Sequence, residues 1–284
     1  MKYMRIGGWW MCLMVLFAAT APAATISWTN DAGGTLSDAA NWQGGVAPAE
    51  GDLALFTNVA TYTVSLDQGS TNGEARFGAA GGVVSLDLAG FSWAQTNVLY
   101  VGHVAGADAS VVASGGALIP RSLQLGNIST TARGQLTLEG ATGTVQASSG
   151  LGIGMTGTGV VTLADADAVL TAFGGGTHVL GNSAGSAGSL YLDGGSLSVS
   201  GNMTVGNSGF GEMVMGTATG VLSSTLSIGI SSGAVGRVTL AGPRADLSVA
   251  GVNMGAAVAT SGELYLSNGI MRTRGETKWG DDGK

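Results

Sequence analysis

Apolar and polar residues alternate one by one along most of this chain, in short runs broken by small residues. One pattern, apolar-x-apolar-Gly, recurs as Leu99-Tyr100-Val101-Gly102, Leu123-Gln124-Leu125-Gly126 and Leu151-Gly152-Ile153-Gly154. It returns as Met203-Thr204-Val205-Gly206, Leu226-Ser227-Ile228-Gly229 and Val252-Asn253-Met254-Gly255, with weaker copies ending at Gly78, Gly181 and Gly280. Successive anchor glycines therefore lie 23 to 28 residues apart. A second alternating run follows each anchor, as in Gly134-Gln135-Leu136-Thr137-Leu138 and Gly188-Ser189-Leu190-Tyr191-Leu192. A third, less tidy run completes the unit, as in Ser196-Leu197-Ser198-Val199. Period-two alternation predicts strands with one buried face, and no mature stretch carries the 3.6-residue period of a helix.

Three short strands in a repeat of ~25 residues describe one coil of a β-helix, since hairpins or a sandwich would show tight two-residue turns between strands. The expected fold is all-β, a right-handed parallel β-solenoid, with about seven to eight coils over residues 75–275. Stacked coils place equivalent residues ~4.8 Å apart, so columns form along the axis. In the second strand one inward column is Leu136, Val161, Leu190, Met213, Val238 and Leu264, and the other is Leu138, Leu163, Leu192, Met215, Leu240 and Leu266. All twelve are aliphatic or Met. The outward column between them, Thr137, Thr162, Tyr191, Val214, Thr239 and Tyr265, is β-branched or aromatic and mostly hydroxylated.

The anchor glycines suit sharp corners, which need positive φ or close backbone approach. Asn127, Asn182 and Asn207 each follow an anchor and are expected to form an interrupted side-chain ladder along the axis. Pro120 removes a ladder donor, which predicts a bulge or turn there. His178 falls in a first-strand column otherwise filled by Leu, Met and Val, so it is expected to be buried and neutral with a depressed pKa.

Fifty-one of the 284 residues are glycine and only 10% are charged, against ~25% in an ordinary domain. The 45% hydrophobic fraction and a mean hydropathy of +0.34 give the chain enough apolar surface to fold. The net charge is −7, and Lys2, Lys278 and Lys284 are its only lysines. Without a basic stripe, nucleic acid is not an expected partner. Residues 1–23 read as a secretory signal peptide, with Lys2 and Arg5 before an apolar run from Ile6 to Thr20 and a cleavage site at Ala21-Pro22-Ala23. The single cysteine, Cys12, lies within it, so the mature chain has no thiol chemistry. Residues 24–74 are expected to cap the first coil, with Trp28 and Trp42 as covering aromatics, and residues 75–284 to carry the repeats.

Candidate chemistry is sparse. Glu139 and Asp193 share a column two coils apart, ~10 Å from each other, with Ala164 between. Glycoside hydrolysis wants two carboxyl groups ~5–9.5 Å apart in opposed roles. Asp165 and Asp167 offer two oxygens, where calcium takes six to eight. His103 and His178 lie about three coils apart, too far to share a metal. Arg133, Arg237 and Arg244 are scattered, and no group of acidic, basic and aromatic residues on one face is legible. The expectation is therefore no enzyme, no catalytic, cofactor-binding or metal-binding residues, and no cofactor.

The segment Ile26-Ser27-Trp28-Thr29-Asn30 through Asn41-Trp42 to Val46-Ala47-Pro48 and Gly51-Asp52, with Leu180-Gly181-Asn182-Ser183 and Val205-Gly206-Asn207-Ser208-Gly209, resembles the autotransporter-associated β-strand repeat family. That family is also met among exported proteins with PEP-CTERM-type sorting tails. The resemblance covers nearly all of residues 25–275 and implies a secreted or cell-surface β-helical passenger. It supplies no catalytic residue. The expected role is an exported structural or adhesin-like surface element. Its partners would be extracellular glycans or other surface proteins, and the membrane would be met only through the signal peptide or a missing C-terminal anchor. The alternative is a carbohydrate-binding or polysaccharide-degrading β-helix protein. Gly280 is followed by only four residues, so the chain is expected to be a truncated piece of a longer protein or to pair through its open end.

Overall fold

The computed structural model of the protein describes residues 23–146, 150–174, 176–255 and 257–280. Nearly all of the expected signal peptide, residues 1–22, lies outside them.

Each alternating run becomes a strand, and every pairing between named strands is parallel to its equivalent one coil away, as in Leu190↔Met213↔Val238↔Leu264. The second strands stack into a sheet of ten, from Gly34–Thr35 to Ser261–Leu266. First and third strands join in one larger sheet, because in several coils the chain runs from the third strand into the next first strand, as over Ser92–Val101, Thr219–Ile228 and Asp246–Met254. The result is a parallel β-solenoid of about ten turns. Pro120 sits where that continuous strand bends: the register shifts between Pro120 and Ser122, as expected of a residue that cannot donate to the ladder.

Segment 24–74 is more than a cap. Thr25–Ser27 pairs with Leu53–Phe56, which pairs with Glu74–Phe77, so both sheets begin at the first described strands. This adds the turns beyond those expected for residues 75–275. Trp28 and Trp42 still close the end. Their rings meet edge-on with centroids 5.1 Å apart, and their indole N–H groups donate to the carbonyls of Asn30 and Leu36. Phe56, Phe77 and Trp93 continue this aromatic stack into the core. Both Trp28 and Trp42 are buried.

Ten of the twelve predicted inward second-strand side chains are fully buried, each worth about 1.5–3 kcal/mol over exposure. Leu264 is only partly buried and Leu266 is 54% exposed. Both belong to the last described coil, where no further rung covers them. Outward Thr137, Thr162, Tyr191, Val214 and Thr239 are half-buried and Tyr265 is exposed.

Candidate functional site

The residues singled out from the sequence divide cleanly by geometry. Glu139 and Asp193 are both exposed at the ends of second strands, and nothing basic bonds to either among the described residues. Asp165 turns its carboxylate back onto the backbone N–H groups of Asp167 and Ala168, at 3.0 and 2.8 Å. Its oxygens thus shape a corner. Among the described residues no group of three or more His, Cys, Asp or Glu could hold a metal ion. We expect Glu139→Ala and Asp193→Ala each to shift stability by less than about 0.5 kcal/mol and to change no binding or catalytic constant. Polysaccharide cleavage that disappears on either substitution would refute this reading.

Asn207 Nδ2 donates to Asn182 Oδ1 at 2.9 Å, one coil below. Asn127 instead donates to Gln124 within its own coil, at 2.6 Å. The ladder is interrupted because Met155, not Asn, follows the intervening anchor Gly154.

His178 is fully buried in its column. The backbone N–H of Leu151 donates to its Nδ1 at 3.1 Å, so Nδ1 carries no proton and Nε2–H donates to the Ser200 carbonyl at 3.1 Å. Desolvation lowers its pKa, partly opposed by the Ser200 bond. His103 lies apart from it, its ring centroid 4.0 Å from that of Tyr100. Burial and the nearby Arg76 guanidinium lower its pKa to about 4.

Stacking does assemble mixed clusters, a small one in which Arg76 pairs with Glu74 and lies over Tyr100 and a larger one around Arg237, which corrects the expectation of scattered arginines. In the outward column two residues before Thr162 and its equivalents, Ser189, Glu212, Arg237 and Glu263 are successive rungs. Arg237 Nε donates to Glu263 at 2.9 Å, and its terminal nitrogen lies 3.8 Å from Glu212. Tyr191 donates to Glu212 and Tyr265 to Glu263, each at 3.0 Å. The guanidinium also lies over the Tyr265 ring, 5.9 Å from its centroid. Hydrogen bonds from Arg237, Tyr265 and Ser261 hold the Glu263 carboxyl below the usual carboxylate range. Burial, together with Glu212, raises the Tyr191 phenol. The cluster lies on the outer face of a sheet. The arrangement is suited to holding a ligand by hydrogen bonds and ring faces. The signal that could have found it is a column count at this position, of the kind that aligns Thr162 with its equivalents.

Comparisons with family models, curated proteins and solved structures return no match to this chain.

Proposed function

We propose that this is an exported structural or adhesin-like cell-surface protein with no catalytic site, akin to the autotransporter-associated repeat passengers its sequence resembles. The observation that carries the reading is the uninterrupted stack of about ten parallel turns with mostly neutral, hydroxyl-bearing outward columns. At ~4.8 Å per rung this is a rod ~50 Å long. The described residues hold their core together by aliphatic burial and parallel backbone ladders, which suits a spacer or display surface.

The test is export. When the full chain is expressed in a Gram-negative host, the recovered protein should begin at Ala24 and be accessible to protease added to intact cells. A cytoplasmic protein that retains residues 1–23 would overturn the proposal. The Tyr191–Tyr265 cluster favours a second reading, in which the rod also binds carbohydrate.

A further inference from the structure

We propose that Tyr191, Glu212, Arg237, Glu263 and Tyr265 form a binding band for a linear, neutral polysaccharide lying along the solenoid axis. The proposal rests on the surface-element reading for its extracellular setting and adds to it a ligand class.

The first argument is economy of charge. Only 10% of the chain is charged, yet two carboxylates and a guanidinium meet on three successive rungs of one outward face. The same column on earlier coils holds Ser110, Gln135 and Val160, and those coils stack equally well. Folding therefore does not require the charges, and exposed ion pairs add little to stability. The second argument is shape. The band lies on an open sheet face, whereas small molecules favour concave pockets. A polymer can instead spread its contacts along the axis. Tyr191 and Tyr265 are three rungs apart, ~14 Å. Each offers a ring for the apolar C–H face of a sugar, and Tyr265 is 49% exposed. Between them the carboxylates and guanidinium, though paired with one another, keep spare lone pairs and N–H groups for sugar hydroxyls. The third argument is sign. With −7 overall and two carboxylates to one guanidinium in the band, a polyanion is repelled. A neutral glycan bears no such penalty.

Affinity electrophoresis of the full chain through gels containing hydroxyethyl cellulose, galactomannan or polygalacturonate tests this. A neutral polymer should retard the protein, and polygalacturonate should not. The double variant Tyr191→Ala, Tyr265→Ala should weaken retardation about tenfold or more, while a cooperative thermal transition shows that the chain still folds. Tyr191→Phe with Tyr265→Phe should keep most of it, because the rings remain. Thr137→Ala, on the same face but outside the band, should change nothing. The proposal fails if neither neutral polymer retards the chain, if polygalacturonate retards it more, or if the double alanine variant migrates like the original. Correct export without retardation would sink the band and leave the surface-element reading standing.

Discussion

Gly181→Ala should lower the stability of the solenoid by about 3–5 kcal/mol, whereas Gly185→Ala should cost only about 1–2 kcal/mol. The two glycines have similar left-handed backbones, with φ of 69° and 79°. Alanine at either meets the same conformational penalty. Their surroundings differ. A Cβ on Gly181 would fall inside 3.0 Å of the Phe210 carbonyl and of the Gly211 nitrogen, both backbone of the next coil. At Gly185 nothing lies within 4 Å. The corners at Gly102, Gly126, Gly154, Gly181, Gly206 and Gly229 pack directly against the start of the second strand one coil on, and Gly211 in turn lies against the Leu180 carbonyl beside Gly181. Backbone on both sides cannot rotate away as a flexible side chain could, so the coil spacing itself must open. Urea unfolding of the two variants measures the difference. Equal losses would show that φ alone selects glycine at these corners and that the close approach is unimportant.

Acidification from pH 7 to 4.5 should remove about 2–3 kcal/mol of stability through His103 alone, with His178 adding to it. His103 titrates near 4 in the folded protein, against ~6.5 when unfolded. The unfolded chain therefore binds the extra proton first as pH falls. The stabilisation is fully present above ~6.5, is lost progressively below it, and is exhausted near 4. His178 has the same sign, because its ring is desolvated and Leu151 occupies the nitrogen that a second proton would need. Most of this window lies above the ordinary carboxylate range, so the two histidines dominate it. Urea midpoints at pH 7 and 4.5 should separate for the natural chain and draw together in His103→Gln with His178→Gln. An NMR titration giving either ring a pKa at or above ~6.5 would count against its placement.

The strands, the coil length and most of the core are legible in the order of residues, because alternation with a period of two and a repeat of about 25 residues are properties of the chain itself. Pro120 is legible because it cannot donate to a ladder, and the corner glycines because they recur with the repeat. The entry segment is harder. Leu53-Ala54-Leu55-Phe56 is followed by Thr57 where later coils carry the anchor glycine, so nothing marks it as a rung. Its partner Glu74–Phe77 carries the weaker copy ending at Gly78, but Thr25–Ser27 becomes visible only through pairing.

The mixed cluster shows the limit more sharply. Tyr191 and Val214 are 23 residues apart, Glu212 and Arg237 are 25, and Arg237 and Glu263 are 26, yet each pair occupies neighbouring rungs. Loops absorb the unequal lengths, so these positions come into line only when each second strand is aligned on its own alternating run rather than on a fixed repeat length. By itself the sequence determined that this protein is a stack of short parallel strands around an aliphatic core. Alternation decides which face is buried, and burying apolar area is the dominant favourable contribution to folding. The tertiary structure alone decided which outward side chains touch. Exposed pairs contribute too little energy to leave a periodic mark, and they meet only once the ladder has set the register between coils.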